Sequence, residues 1–282
     1  MLTIYGRAFN VGPILGRLGM DASFADVRKQ ARPFWLGVHS TIGHRPVRVG
    51  IHLIYGLATS CGGPGDCVDY LDDIGVNIVK QYIEPAAARG WYVILDDQLG
   101  RSNPKQEMQR MIARGYLKYD NVEVALDPEF RAGPEQQIPG IPVGSVSATE
   151  VNAAQTVLSR YLVPLHLRHR KVLMVHQFLD SMITDRRALR WNLSDVDPAI
   201  VADGFGDPAT KTQVYLSLLG RKQAPRIRLR GIKLFYPNPY ETAGHGDAPV
   251  MSWPQVFGRQ PALGPDGTPN YVAPPPQIVI IA

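Results

Sequence analysis

The chain reads as an α/β protein: a single (β/α)8 barrel of the TIM type with a parallel eight-stranded core, one domain over residues 1–282. Three observations predict this. Short Val/Ile/Leu-rich runs recur eight times and are nearly continuous rather than alternating, as strands buried on both faces are. Segments with helical apolar spacing separate them. No stretch has the composition of a linker, and 282 residues suit one large barrel. A doubly wound open sheet is the other arrangement of such units. No GxGxxG or phosphate loop follows the first strand, which counts against its nucleotide-binding versions.

Taken in order, the first strand is 2–5, followed by the Gly-rich GRAFNVG and a short amphipathic helix expected over 13–18. A longer helix is expected over 23–32, with Ser23 as N-cap and Asp26 three residues on. VRVGIHLIY (47–55) is the second strand, and the loop SCGGPGDC (60–67) follows it. Residues 67–89 carry Val68, Leu71, Ile74, Ile78 and Tyr82 at helical spacing and close on Gly90. The third strand, WYVILDD, ends in Asp96 and Asp97, and a helix is expected over 104–114.

The fourth strand lies in VEVALDPEF (122–130) and must stop at Pro128, which cannot donate to a ladder. A Pro/Gly-rich loop over 131–145 is too long for a mere connector, and the expectation is a lid or binding loop over the mouth. Ser147 or Thr149 opens the next helix. KVLMVHQF (171–178) is the fifth strand, with a helix expected over 181–189. AIVADGFG supplies the sixth strand, and PATKTQVYLSLLG is a helix with Pro208 at its start and Gly220 at its end. RLRGIKLFYP gives the seventh strand, and PQIVIIA the eighth after a Pro/Gly-rich tail.

Apolar content of 45% with 20% charged residues is that of a protein with a sizeable core, and no apolar run approaches a transmembrane span. The net charge of +5 is dispersed over short clusters, RKQAR, LRHRK and RIRLR, which read as helix ends and solvated faces. No zinc-finger or RNA-binding signature is present, so nucleic acid is not an expected partner. Cys61 and Cys67 have the wrong spacing for a CxxC pair. The turn between them is tight enough for a loop disulfide, which would imply an oxidising compartment; two free thiols are the alternative. No signal peptide precedes the first strand, so either the protein stays inside or its export signal lies outside this chain.

Polar residues gather at the strand C-termini: His52, Asp96 with Gln98, Asp127 with Glu129, His176 with Gln177, Asp203 and Lys233. In a barrel those ends converge on the face that carries active sites. Each has an ordinary structural explanation by itself, but their number is hard to derive from stability alone. A period of two puts Asp127 and Glu129 on one side of the strand, roughly 6–7 Å apart along it. Nearby aromatic residues (Phe130, Phe178, Phe205, Phe235, Tyr236) would suit sugar faces or pack under loops.

The order LDDQLGRS, VALDPEF, VGSVSATEVNAA, VHQF, ADGFG and KLFY resembles a family of secreted bacterial barrel proteins, often lipoproteins or carriers of wall-binding repeats. Their pattern runs LDxQPGRS, ALDPEW, IGSVDAAEVN, VHQF, VDGFG and KLFYDED. The resemblance covers most of the chain and implies an extracellular or envelope-associated protein without a firmly assigned activity. This chain departs from it at Leu99, where Pro is usual, at Phe130, where Trp is usual, and after Tyr236, where PNPY replaces an acidic run. A slighter similarity, to barrel glycosidases of the chitinase and endolysin-lysozyme kind, rests on Asp127-Pro128-Glu129 at the end of the fourth strand. It implies Glu129 as general acid and Asp127 as its partner.

The leading expectation is therefore a glycoside hydrolase-like protein acting on or binding a cell-wall or other extracellular polysaccharide. Its catalytic residues would be Glu129, Asp127, Asp203 and Asp96; Gln98, Arg101, His176, Gln177, Lys233 and Tyr236 would bind substrate. No cofactor is expected on this reading. Asp96, Asp127, Glu129, His176 and Asp203 are also a hard-ligand set for Mg²⁺ or Ca²⁺ in a phosphoester hydrolase. A non-catalytic glycan-binding or surface structural barrel is the remaining alternative.

Overall fold

The computed structural model describes residues 1–43, 45–237 and 246–282. Its strands and helices alternate as expected. The strands are β1 (Leu2–Gly6), β2 (Val49–Ala58), β3 (Val68–Tyr70), β4 (Tyr92–Asp97), β5 (Val122–Leu126), β6 (Val146–Ser147), β7 (Lys171–Gln177), β8 (Ile183–Thr184), β9 (Val196–Ala202), β10 (Leu229–Leu234), β11 (Ala262–Leu263), β12 (Pro269–Asn270) and β13 (Ile278–Ile281). The helices are α1 (Phe24–Thr41), α2 (Glu84–Ala87), α3 (Pro104–Ala113), α4 (Ala148–Leu162), α5 (Pro208–Leu219) and α6 (Trp253–Val256).

The main sheet runs β1-β13-β10-β9-β7-β5-β4-β2-β3, and β1 also pairs with β2. Eight parallel strands thereby close into a barrel of the TIM type, while β3 lies antiparallel on β2 outside the closed set. By density of contacts the chain divides into two compact units. One is Met1–Leu53 with Ile200–Ala282; the other is Ile54–Ala199. In the first unit β13 registers with both β1 and β10, and its four residues are all buried. In the second, β4, β5 and β7 form a parallel set in which Asp96 registers with Ala125 and Ala125 with Met174. Burial of each such Leu, Ile or Val side chain is worth about 1.5–3 kcal/mol, so these near-continuous apolar runs are the main support of the sheet.

Four helical expectations need correction. Residues 13–18 form bends ahead of a 3-10 turn at Leu18–Met20, because Asn10, Gly12 and Leu15 hold left-handed backbone that no helix contains. The helix capped by Ser23 runs on past Arg32, through Pro33, to Thr41. Its buried stripe (Phe24, Val27, Ala31, Val38) continues beyond the proline and offsets a break costing about 3 kcal/mol. Residues 67–89 begin as strand β3, turn at Gly75, and become helical only at a π-helical turn (Val79–Ile83) that feeds α2. Asp72 draws that turn out by accepting from the hydroxyls of Tyr55 and Tyr116, which leaves Ile74 exposed. Residues 181–189 are two 3-10 turns flanking β8, because Ile183 and Thr184 pair with Val146 and Ser147 instead.

Ser147 opens α4, one of the two residues expected there, and forms a full capping box with Glu150; Asn103 caps α3 and Asp207 caps α5. Arg230, from the basic cluster RIRLR, is buried and donates to the carbonyls of Leu219, Ala224 and Ile227 just beyond α5. Cys61 and Cys67 are joined as a disulfide. Among the described residues, no helix is long and apolar enough to cross a membrane.

Candidate active site

In the unit Ile54–Ala199, β4 ends in two aspartates that the strand period sends to opposite faces. Asp96 shares its face with His176, and Asp96 Oδ2 lies 3.5 Å from His176 Nε2, both side chains being fully buried. The two belong to strands on either side of β5, where Ala125 is in register with Asp96. Ala125 carries only a methyl group toward that face, so the carboxylate reaches the imidazole across β5.

Asp97 turns the other way, under α3. Its Oδ1 accepts from the backbone of Leu99 at 3.1 Å, and its carboxyl meets that of Glu107. Burial is the first cause that pushes Asp97 well above the usual carboxylate range, and the Glu107 charge adds to it. Both causes favour the protonated form of Asp97. Tyr70 donates its hydroxyl toward Glu107 at 2.9 Å and Asp66 at 3.1 Å, and burial raises its phenol far above its ordinary value.

Asp127 caps the 3-10 turn Pro128–Phe130 by accepting from the Glu129 backbone at 3.2 Å. The strand period therefore ends at Asp127. The expectation that alternation sets Glu129 beside it on one strand face is corrected: Pro128 turns the chain, Asp127 is buried and Glu129 is half-buried on the turn. The Glu129 carbonyl accepts from Gly144 at 2.7 Å, which fastens the 131–145 loop to this turn. The same loop is bonded at Ala132 to Gly100 and at Gln137 to Cys61, so it lies at the C-terminal ends of β2, β4 and β5. That is the side on which the sequence expected it.

A cleft of about 700 Å³ opens along this loop. Arg101, Arg131, Gln136, Ser147, Glu150 and Thr184 contribute side chains to it. None of the four proposed catalytic carboxylates lines it. Gln98 and Gln177, expected to bind substrate, serve the loops instead. Gln98 Oε1 accepts from Ala58 at 3.0 Å; Gln177 donates to Leu179 and accepts from Arg186. Both are fully buried, and Gln177 falls on the opposite strand face from His176. Arg101 does line the cleft, and donates to the carbonyls of Cys61 and Gly63 at 2.9 Å each.

In the other unit, Asp203 and Lys233 meet at 3.0 Å, both buried. The Lys233 ammonium stands 3.8 Å from the centre of the Tyr5 ring, a cation–π contact, and the Gly204 backbone donates to Asp203 Oδ1. Behind them a second pair, Lys211 with Asp247 at 3.2 Å, is tied in by bonds from Lys211 to the carbonyls of Gly204 and Lys233. His52 is buried with its ring 5.0 Å from that of Tyr5. Tyr236, expected to bind substrate, is half-buried. It leans on Phe34 of α1, and burial with the nearby Asp247 pushes its phenol up to about 12. Of PNPY, residues 238–240 lie outside the described residues.

Glu107, Lys211 and Asp247 were not singled out by the sequence. Glu107 and Lys211 carried a legible signal, since each interrupts the buried stripe of its helix (Pro104, Met108, Met111; Tyr215, Leu218). Asp247, in a Pro/Gly-rich tail, carried none. Leu99 is also informative. Its φ of 55° is closed to proline, so its departure from the motif suits the turn this loop makes. Comparison with known proteins brings no relative to this site: no family model, no curated protein and no solved structure matches the chain.

Proposed function

We propose that this chain is a carbohydrate-active barrel protein, glycoside hydrolase-like, acting on a cell-wall or other extracellular polysaccharide. The observation that carries the reading is the buried Asp96–His176 pair at the C-terminal ends of β4 and β7, with Asp127 closing the strand between them. A carboxylate held against an imidazole is an acid/base unit rather than a packing element. Glu129 is the carboxylate we assign to proton exchange with a glycosidic oxygen; its side chain does not line the cleft, but its backbone carbonyl is bonded to Gly144, which does. Asp127 positions that turn. Asp203, expected among the catalytic carboxylates, is paired with Lys233, and we read it as a structural partner. The disulfide and the family resemblance support an exported, envelope-associated location.

The test is product release from a panel of bacterial wall and matrix polysaccharides, read by mass spectrometry. Products that disappear with Glu129→Gln and Asp96→Asn are expected; activity retained in both variants would overturn the assignment. A second reading, a non-catalytic glycan-binding barrel, is favoured by one observation: none of Asp96, Asp127, Glu129 and Asp203 lines the cleft. On that reading the panel shows retention without products. The metal-dependent phosphoester hydrolase finds less support, because Asp127 and Asp203 are committed to the Glu129 backbone and to Lys233.

A further inference from the structure

We propose that the cleft beside Arg101 binds an anionic saccharide unit, with the Arg101 guanidinium pairing with its carboxylate or phosphodiester oxygens. The proposal rests on the glycan reading above and names the class of glycan. The cleft falls in the size range of small-ligand sites, about 300–1,000 Å³. Its lining contains no aromatic side chain, so recognition there works through charge and hydrogen bonds rather than ring stacking.

The charges in the cleft are unevenly matched. Arg131 is neutralised by Glu150 at 2.6 Å, and the same carboxylate closes the capping box of α4, so the end of that helix is already filled. Arg101 has no ion pair among the described residues. Its side-chain contacts are the two carbonyl oxygens of the disulfide loop, and its Nε is buried without a hydrogen-bond partner. Two carbonyls use one hydrogen on each Nη and leave a second on each for a ligand. A half-buried guanidinium without a counter-ion is costly, and a planar two-oxygen anion is what its fork fits best.

The guanidinium is also held in place before any ligand arrives. The Arg101 backbone donates to Asp66 at 2.6 Å. Gly100 comes so close to that loop that an added Cβ would sit 2.2 Å from the Asp66 oxygen. The Cys61–Cys67 bond closes the loop, and the Cys61 amide donates to Gln137 of the long loop at 2.7 Å. Three loops thus fix one cation, which lowers the ordering cost of binding. The Thr184 hydroxyl, without a partner among the described residues, stands in the same lining to meet a sugar hydroxyl.

The experiment is calorimetric titration of the intact protein with an oligogalacturonate, its carboxyl-reduced neutral form, and a glycerol phosphate oligomer. At least one charged oligomer is expected to bind, tenfold or more tightly than the neutral one, and to weaken with salt. Which charged oligomer binds distinguishes a carboxylate from a phosphodiester source. Arg101→Met should lower that affinity tenfold or more at unchanged melting temperature, with Arg101→Lys intermediate. A thiol reductant, delivering two electrons and two protons to Cys61–Cys67, should weaken binding as well. Equal binding of neutral and charged oligomers, an Arg101→Met variant like wild type, or no binding by any of the three would each overturn the proposal. The hydrolase reading fails separately. A protein that releases no products yet binds in this Arg101-dependent way loses the enzyme and keeps the cleft.

Discussion

At their strand ends, the two compact units treat buried charge in different ways. In Met1–Leu53 with Ile200–Ala282, cations meet carboxylates: Lys233 with Asp203, Lys211 with Asp247. In Ile54–Ala199, near the ends of β4 and β7, carboxyls meet each other or an imidazole, as in Asp97 with Glu107 and Asp96 with His176. One cation there, Arg101, has only carbonyls. On the proposed function, the difference separates structure from chemistry. Oppositely charged pairs neutralise themselves, whereas a carboxylate beside an imidazole is an arrangement that acid/base chemistry uses.

Breaking a pair in the first unit should have the largest effect. Lys233→Met removes the cation bonded to the buried Asp203 and is expected to cost about 3–5 kcal/mol, measured by urea unfolding. The double variant Asp203→Leu with Lys233→Met should regain much of that loss. A double variant as weak as the single one would mean that the pair does more than neutralise itself.

In the second unit the expected effect is a pH dependence. A raised Asp97 pKa means that the native state binds a proton the unfolded chain gives up near pH 4. Stability from this group is therefore full below about pH 4 and is lost as pH rises toward the folded value. Asp97→Asn keeps the shape, donates to Glu107 without titrating, and should flatten that slope. Urea midpoints measured from acid to mildly alkaline pH would show it, and parallel curves for wild type and variant would mean that the Asp97 pKa is not raised.

Smaller losses are expected from the supports of the second unit. Replacing Cys61 and Cys67 by serine should cost about 2 kcal/mol, as a short closed loop predicts. Hydrogen exchange should then rise in the 131–145 loop, to which Cys61 is bonded. Ser147→Ala removes half of a capping box and should cost about 1 kcal/mol by the same unfolding measurement. If neither variant disturbed the cleft, these contacts would be incidental to it.

Much of this was legible in the sequence, and the failures have physical causes. The barrel strands announced themselves because strands covered on both faces are apolar throughout, and KVLMVHQ and IVII have few other readings. Ser23, Ser147 and Gly90 marked their helix ends because capping is a local interaction. Residues 67–89 misled because Val68, Leu71, Ile74, Ile78 and Tyr82 fit a helical period while the hydroxyls of Tyr55 and Tyr116, distant in sequence, pull Asp72 into a turn. At the site, strand ends indicated which residues gather but not their faces past the last ladder bond. Asp96 was placed correctly, whereas Glu129 followed Pro128 out of the strand. Gln177 went to its own loop. The Asp97–Glu107 contact was hidden because it joins a strand to a helix, and no periodicity within either one reports it.

The most direct test of the claim that the second unit carries the chemistry is polysaccharide product release by matched variants from both units. Wild type, Asp96→Asn, Glu129→Gln and the Asp203→Leu/Lys233→Met double variant would be assayed on one panel, each confirmed folded by its unfolding curve. Products are expected from wild type and from the double variant, and none from Asp96→Asn or Glu129→Gln. Products that survive in the Asp96 and Glu129 variants but vanish in the double variant would contradict that claim and move the chemistry to Asp203 and Lys233.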